Sequence, residues 1–347
     1  SGSYSRRDTP GYIDNIQTGE EDVNDAVQQG GRAALLWEPG SALSVRLSGI
    51  WQSVDSDNVS LVYEGMGGGS LVPAADFLST NAQLDEPFTS DFQYYSGSIA
   101  YDFGFAELSS TTSYSKLDIL EVTDATRIFG VAFGGFAPYP ATLVQKKWTE
   151  EVRLTSQASD RFEWMVGFFY TEEDNTQSQI VRALDASGEP LPGIDPFATV
   201  GLPNTYKEHA VFGNATWKLS DMFHLTGGLR WARNDQTFSQ ITQIPLAGLD
   251  ISGDGTSSEE VVTYSISPQV NLGRDTMVYA RVATGYRPGG PNVALPGFPT
   301  TVGSERVTSY EGGIKLGLFN RSVTFDAAAF LLDWTDLQTS APLAGGI

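Results

Sequence analysis

The chain has 347 residues, of which 40% are hydrophobic and 18% charged, and its formal net charge is −21. This hydrophobic content argues against disorder by composition. The balance of 21 basic against 42 acidic side chains argues against nucleic acid as a partner, because phosphate recognition requires clustered Lys and Arg. The absence of cysteine excludes disulfides, Cys-ligated metals and thiol catalysis.

Aromatic residues make up 12% of the chain, and there are 37 glycines. Aromatic girdles and tight turns are features of membrane β-barrels, but a lectin-like β-sandwich shows the same totals. No apolar run approaches the ~18 residues of a membrane-spanning helix. The opening residues 1–7 lack the apolar segment of a signal peptide, so we expect any export signal to have been removed or to lie outside this sequence.

Short polar turns recur along the chain between strand-like runs. Each contains Gly, Asn, Asp or Ser, which accept turn geometry or hydrogen-bond their own backbone. The six predicted turns lie at residues 38–41, 102–104, 157–160, 218–221, 272–275 and 318–321.

Six long connections alternate with these turns. Long structureless loops are uncommon in compact soluble domains. In a meander, alternate connections emerge at the same end, so one rim carries short turns and the other long loops, as in outer-membrane barrels. The predicted long loops are residues 8–30, 53–91, 118–147, 172–208, 233–262 and 286–306.

The strand-like runs alternate with period 2, which places every second side chain on one face of a sheet. Glu151 and Arg153 share a face, with Val152 and Leu154 opposite. A soluble sandwich shows the same alternation. Predicted strands of about 10 to 14 residues exceed the typical globular strand, and together with the loop asymmetry they favour a barrel.

Several stretches resemble the barrel of TonB-dependent outer-membrane receptors. The most specific is VYARVATGYRPGGPN at residues 278–292, and the others include WTEEVRLTS at 148–156 and FGNATW at 212–217. The resemblance implies an N-terminal plug and a 22-stranded barrel. It also implies import of a scarce nutrient, using energy from the inner-membrane TonB complex.

The predicted fold is therefore all-β: a transmembrane antiparallel up-and-down β-barrel. Counting turns gives about 13 strands, so residues 1–347 are expected to be an incomplete barrel segment without the plug or the closing strands. Three features depart from the family pattern: no plug or TonB-contacting box, Ser304 before Glu305 where proline is usual, and no aromatic residue at the chain end.

A ferric siderophore is the expected ligand, with oligosaccharides and cobalamin as alternatives within the family. Outer-membrane lipid and lipopolysaccharide are the expected surroundings. A porin-like barrel, an adhesin and a soluble carbohydrate-binding β-protein remain alternative functions. No enzyme signature is present, and no cofactor is expected; the two histidines, His209 and His224, lack a third metal ligand.

Five charged residues with inward strand parity are predicted to form a charge ladder on the inner wall, contacting the plug or water. Direct contact with substrate is the alternative role. These residues are Glu151, Arg153, Arg230, Arg281 and Glu311.

Aromatic residues crowd one predicted extracellular loop, where they form a candidate ligand vestibule. The alternative, which we favour, is that the loop packs on its neighbours. The candidate residues are Arg127, Phe129, Phe133, Phe136 and Tyr139.

The first long loop contains closely spaced carboxylates, and such oxygen ligands can hold Ca²⁺. A solvated acidic loop is the favoured alternative. The residues are Asp14, Glu20, Glu21, Asp22 and Asp25.

Overall fold

Thirteen long strands make up most of this computed structural model, which describes residues 1–59, 78–292 and 299–339. The glycine run at 65–69, within the second predicted loop, and the chain end at 345–347 lie outside the described residues. Two single-turn 3₁₀ helices, at Gly130–Ala132 and Pro245–Ala247, are the helical elements of the described part. No helix there is long and apolar enough to cross a membrane.

The strands form one antiparallel sheet in which each long strand pairs with the next along the chain. The order is that of a meander, as predicted, and the predicted count of 13 is confirmed. In chain order the strands are β1 (Gly2–Thr9), β2 (Ala26–Trp37), β3 (Leu43–Ser56), β4 (Phe88–Asp102), β5 (Ala106–Asp124), β6 (Pro138–Ser156), β7 (Phe162–Val181), β8 (Ala198–Lys218), β9 (Phe223–Ile244), β10 (Leu249–Gly273), β11 (Thr276–Arg287), β12 (Glu305–Leu318) and β13 (Val323–Thr335).

Connections at the two ends of the sheet differ in length. Short turns such as 103–105 and 274–275 join the strands at one rim. Longer connections such as 125–137 and 182–197 lie at the other rim. The alternation follows the prediction, but the strands extend several residues further into the predicted loops.

The prediction of a long loop at 233–262 is wrong. Strand β9 continues to Ile244 and β10 starts at Leu249, so most of this segment is a hairpin. Gly248 closes the turn with a φ of 62°, a left-handed conformation that glycine adopts without strain. The segment contains residues that favour strands, such as Thr237, Ile241 and Val262, and continuous pairing of β9 with β10 satisfies its backbone groups.

The two faces of the sheet differ in chemistry. Pairing aligns Phe168 with Val211, and Val211 with Trp231, on a face that we call the apolar face. Phe168 is 43% exposed and Leu229 is 60% exposed. Two stacked sheets would bury these side chains, whereas the single sheet leaves them outside. The other side, the polar face, contains Glu151 and Arg230.

Aromatic side chains border the apolar face in two bands. On β7, Phe162 in the short-turn band and Tyr170 in the long-loop band are eight positions apart, a distance of about 27 Å along a strand. A tilt of about 40° reduces this to ~20 Å, close to the apolar band of a membrane barrel. The other band members include Trp37, Tyr101, Trp217 and Phe223 near the short turns, and Trp51, Tyr95, Trp148 and Trp231 towards the long loops.

Val166 lies midway between the two bands, so we expect Val166→Lys to destabilise the membrane-inserted protein by about 2–4 kcal/mol, because hydrocarbon cannot solvate the ammonium group. Met165→Lys is the matched control, because Met165 is the residue before Val166 and its side chain lies on the polar face. Urea unfolding in lipid vesicles measures both variants. Equal losses would contradict the assignment of the faces.

Candidate functional site

A row of side chains crosses four adjacent strands on the polar face. Register places Arg153 beside Gly167, Gly167 beside Phe212 and Phe212 beside Arg230. The guanidinium carbons of Arg153 and Arg230 lie 6.0 and 5.7 Å from the centroid of the Phe212 ring. Arg230 also lies 5.2 Å from the ring of Phe169. These are cation–π distances, so two cations flank one ring on the wall.

Gly167 makes room for this row. A Cβ atom at position 167 would lie 2.5 Å from Cζ of Phe212 and 2.8 Å from its Cε2, which is closer than van der Waals contact permits. The missing side chain lets the ring lie flat on the wall between the two arginines. The glycine is therefore required by packing and not by a turn.

Glu208 accepts three hydrogen bonds beside this row. Its Oε1 lies 2.5 Å from Nη2 of Arg230, and its Oε2 accepts from the hydroxyls of Tyr206 at 2.5 Å and Tyr286 at 3.0 Å. Glu208 is only 8% exposed. A carboxylate removed from water requires such partners, because an unpaired buried charge is costly.

Tyr286 lies in a segment that separates from β10 while it still pairs with β12. Pairing of β11 with β10 ends at Ala283, and Gly289 and Gly290, which follow β11, lie against Gln236 of β9. The amide of Gln236 donates to the carbonyl of Gly289. We call residues 286–291 the strap.

Glu305 fixes the end of the strap. It is 3% exposed and accepts from Nη1 of Arg287 at 3.3 Å and from the backbone N–H of Gln338 at 2.8 Å. The side-chain amide of Gln338 donates to the carbonyl of Pro288 at 3.0 Å. The strap thus follows a defined path along the wall.

The predicted charge ladder divides into two ion pairs and a hydrogen bond to a tyrosine. Glu151 and Arg153 form an ion pair at 2.6 Å, and Arg230 pairs with Glu208. Glu311 accepts from the hydroxyl of Tyr279, while Arg281 stands opposite Glu311 in register.

The five predicted ladder residues share the polar face, but their role there stays a prediction. Sequence analysis missed Glu208 as the main partner of Arg230. Its strand parity with Phe212 was the signal that could have found it.

The aromatic loop residues pack between two loops. Phe129 and Phe133 lie 5.7 and 5.6 Å from the ring of Phe197, beside a small cluster built on Ala125, Ala137 and Val181. Tyr139 joins this cluster, and burial raises its pKa. Arg127 donates to the carbonyl of Asn81 at 2.7 Å, and Phe136 bonds Leu184 through the backbone. This arrangement corresponds to the packing alternative, and ligand contact stays a prediction.

The acidic loop does not assemble a set of calcium ligands. Asp14 accepts from the backbone N–H of Asp22 at 3.0 Å, and Glu20 accepts from Thr18 at 3.0 Å. Glu21 and Asp25 are exposed. Within the described ranges, no three acidic or histidine side chains converge in a way that could hold a metal ion. The chain folds each carboxylate towards a local partner or solvent.

Asp25 does have an electrostatic effect on its surroundings. Its negative charge raises the pKa of Asp57, burial raises it further, and Asp85 adds to the effect.

The two histidines lie on opposite faces. The His209 ring lies 5.7 Å from the Trp231 ring, at a tilt of 58°, on the apolar side, whereas His224 faces Lys218 across the pair β8–β9 on the polar side. They cannot share one metal ion.

Taken together, a single meander with an apolar belt between aromatic bands and a charged opposite face defines the wall of a transmembrane β-barrel. The sequence matches the TonB dependent receptor-like beta-barrel family over residues 6–347. The chain therefore belongs to the TonB-dependent receptors, which are outer-membrane proteins of Gram-negative bacteria. The polar face is accordingly the lumen side.

Relatives with known names are receptors. The pesticin receptor of Yersinia pestis is 28% identical over 200 residues, which are 56% of this chain and 28% of that protein. The pesticin receptor of Yersinia enterocolitica serotype O:8 matches at the same identity and coverage. The chain thus aligns with well under half the length of these relatives.

Solved structures share the fold. The ferric yersiniabactin uptake receptor FyuA from Yersinia pestis superposes with a TM-score of 0.78 at 18% identity, over 97% of this chain and 50% of that one. The siderophore receptor PiuA from Acinetobacter baumannii gives 0.70 at 13% identity, over 95% and 52%. The chain therefore spans about half of these barrel proteins.

The Phe212 row predicts an effect of filling the space at Gly167. Gly167→Ala should destabilise the full-length protein in lipid vesicles by about 1–2 kcal/mol, because the Phe212 ring must leave its place between the arginines. Gly227→Ala is the matched control, since its Cβ would meet nothing within 4 Å. Urea unfolding compares the two, and an equal effect of both would refute the packing role.

An ion pair also fixes the loop at 182–197, outside the membrane. Arg182 donates from Nε and Nη2 to the two oxygens of Asp195, both at 2.7 Å, and the N–H of Ala183 adds a bond of 2.9 Å. The Arg182 hydrogen bonds lower the pKa of Asp195 below its usual 3.8, although burial opposes the shift. The pair's contribution is therefore present above that pH and is lost as the pH falls through the folded-state pKa.

Asp195→Asn should reduce the local stability of this loop by about 2 kcal/mol at pH 7, because the charge-assisted bonds are lost. The difference from wild type should shrink as the pH falls below about 4. Hydrogen exchange of backbone amides in the loop, corrected for intrinsic rates, measures the effect. A difference independent of pH would contradict the ion-pair origin.

Proposed function

We propose that the chain is the barrel wall of a receptor that imports a ferric siderophore through the outer membrane. Family membership supports the receptor and transporter class. The finer assignment is supported by the names of the relatives, which include a ferric yersiniabactin uptake receptor and a siderophore receptor. The observation that carries the proposal is this family match together with a lumen wall of paired arginines and aromatic rings.

The lumen wall suits the passage of a large polar ligand. Arg230 and Glu208 neutralise each other, so this part of the wall is polar but does not carry a net charge that would hold a charged ligand tightly. Phe169 and Phe212 provide flat surfaces beside the pair. Hydrogen bonds to Glu208, Gln236 and Glu305 hold the strap against the inner surface.

The remaining partners belong to the same proposal. A plug domain, the barrel-closing strands and the inner-membrane TonB complex are expected of the longer protein. The apolar belt contacts lipid hydrocarbon. Lys116, Lys146 and Lys207 lie on the same outer face beyond the aromatic band, at the height of lipid head groups, including those of lipopolysaccharide. We propose transport without catalysis.

The full-length protein should restore growth of an iron-limited Gram-negative strain that lacks its own ferric-siderophore receptors. Uptake of ⁵⁵Fe should be saturable and should disappear in a strain without the TonB complex, because import against a gradient needs that energy. Tris-catecholate, citrate-type carboxylate, neutral tris-hydroxamate and cationic hydroxamate chelates form the test panel. Uptake that does not saturate and persists without TonB would instead establish a passive, porin-like barrel.

A further inference from the structure

The half of strand β10 that lies towards the long loops has an open edge. Pairing of β10 with β9 is continuous from Leu249 to Val270. Pairing of β10 with β11 extends only from Gly273 to Ser265. Within the described part of the chain, residues 249–263 of β10 therefore have a neighbouring strand on one side only. This edge lies in the interior of the meander, between β10 and β11, and not at its first or last strand.

Thr284 marks the point at which β10 and β11 separate. Its hydroxyl accepts from the backbone N–H of Tyr264 at 2.9 Å and donates to the carbonyl of Tyr264 at 3.3 Å. Both backbone groups of Tyr264 thus point towards β11, and in a regular antiparallel strand every second residue points the same way. The residues whose N–H and C=O groups face the open side are Ser252, Asp254, Thr256, Ser258, Glu260 and Val262.

The open edge lies outside the membrane. Val262 stands opposite Trp231 of the long-loop aromatic band, and the edge continues from there for ten positions to Ser252, about 34 Å along the strand. Hydrocarbon does not tolerate backbone groups without partners, whereas water does. The seam between β10 and β11 is accordingly closed from Ser265 to Gly273, within the membrane, and opens only beyond it.

This edge has none of the usual protection against pairing. Proteins protect exposed sheet edges with Lys, Pro or a bulge. Residues 249–263 contain no lysine or proline, and their register with β9 has no shift. The strap lies on another side of the strand: a Cβ atom at Gly255 would meet Pro291 at 2.8 Å, and Gly255 stands opposite Phe238, which shares the lumen parity of Gln236. The strap therefore contacts the lumen face of β10 and leaves its edge free.

The charge of this segment is negative. Residues 249–263 contain four carboxylates and no basic side chain. Arg233 on β9 lies 3.5 Å from Glu260, but it also pairs with Asp235 at 3.4 Å. One guanidinium group thus serves two carboxylates, and the strand remains acidic. Asp254 and Glu260 both belong to the open edge, six positions apart.

This charge favours a basic partner over a second copy of the chain. An antiparallel pair of two copies centred on Ser257 would place Asp254 opposite Glu260, and like charges opposite each other destabilise a strand pair. A segment with Lys or Arg six positions apart would instead place a cation opposite each carboxylate. The net charge of −21 adds to the repulsion between copies.

We propose that the open edge of β10 is a docking site for an extended basic peptide segment of an extracellular protein, which pairs with it as an additional strand. Backbone hydrogen bonds to the edge residues supply affinity in such strand addition, and the side chains opposite them supply specificity. The partner is a polypeptide and not the imported chelate, so this inference does not depend on the proposed function.

The test uses the full-length receptor in lipid nanodiscs. The probe is a capped peptide of alternating Thr and Val with two lysines six positions apart. Hydrogen exchange, resolved by residue, should show fast exchange at Thr256 and Ser258 without peptide and slow exchange at Ser257 and Glu259, which pair with β9. Saturating peptide should slow exchange at the edge residues about tenfold or more and leave Ser257 and Glu259 unchanged.

Thr256→Pro removes one N–H from the open edge and leaves pairing with β9 intact, because proline is accepted at sheet edges. It should weaken binding of the peptide about tenfold, since the C=O group opposite loses its donor. Thr256→Ala is the matched control, because it keeps the N–H and should bind like wild type. Fluorescence anisotropy of labelled peptide measures affinity, and urea unfolding verifies that both variants are folded.

Two further peptides separate backbone pairing from attraction by charge. A peptide methylated on alternate backbone nitrogens keeps both lysines but cannot donate to the edge, so wild type should not bind it. A peptide with Glu in place of both lysines should bind at least tenfold more weakly. These peptide controls retain the test even if Thr256→Pro fails to fold.

Four outcomes would overturn the docking site. Protection of the edge amides without peptide would show that another part of the receptor covers the edge, or a second copy if protection rises with receptor concentration. Equal binding of the methylated peptide would reduce the effect to charge alone. Equal or tighter binding of the Glu peptide would contradict the basic partner. An equal loss in Thr256→Pro and Thr256→Ala would place the peptide elsewhere.

Discussion

Hydrocarbon offers no hydrogen bonds, so each backbone N–H and C=O group in the membrane must find a partner within the protein. A sheet meets this demand when every strand pairs on both sides, and the unbroken meander from β1 to β13 does so for its inner strands. Most other features follow from this pairing. Strands must be long enough to cross the bilayer, and successive side chains must alternate between lipid and lumen.

Alternation places incompatible chemistry on adjacent residues. Met165 and Val166 are neighbours, yet one faces water and the other lipid. The lipid side needs only apolar bulk and aromatic edges, so its residues can vary in shape. The lumen side has stricter requirements, because charged groups such as Glu208 and Arg230 lie close together and need exact partners in space. Position 167 has an equally strict requirement, because only glycine leaves room for the Phe212 ring.

Charge is distributed unevenly along the lumen wall. Ion pairs neutralise Arg153 on β6, Arg230 on β9 and Arg287 on β11. Arg153 and Arg230 also position the ring of Phe212. The aromatic loop residues have another role, because Phe129 and Phe133 build a small core that holds two loops together.

The sequence by itself determined the strand periodicity, the number of strands, the alternation of short and long connections and the family. These properties depend on local pattern: period 2 decides the face of a side chain, and turn residues decide where the chain reverses. Strand ends were less accurate, as the hairpin at 233–262 shows, because pairing with a neighbour can extend a strand beyond its apolar segment.

Only the tertiary structure decided which side chains meet. Glu208 and Tyr286 are 78 residues apart in the chain, and no local pattern links them. They meet because β11 separates from β10 after Ala283 and the strap then reaches the polar face of β9. The packing of Phe129 on Phe197 likewise depends on which loops become neighbours. Contacts between distant segments depend on the register and path of the whole sheet, which composition and periodicity do not specify.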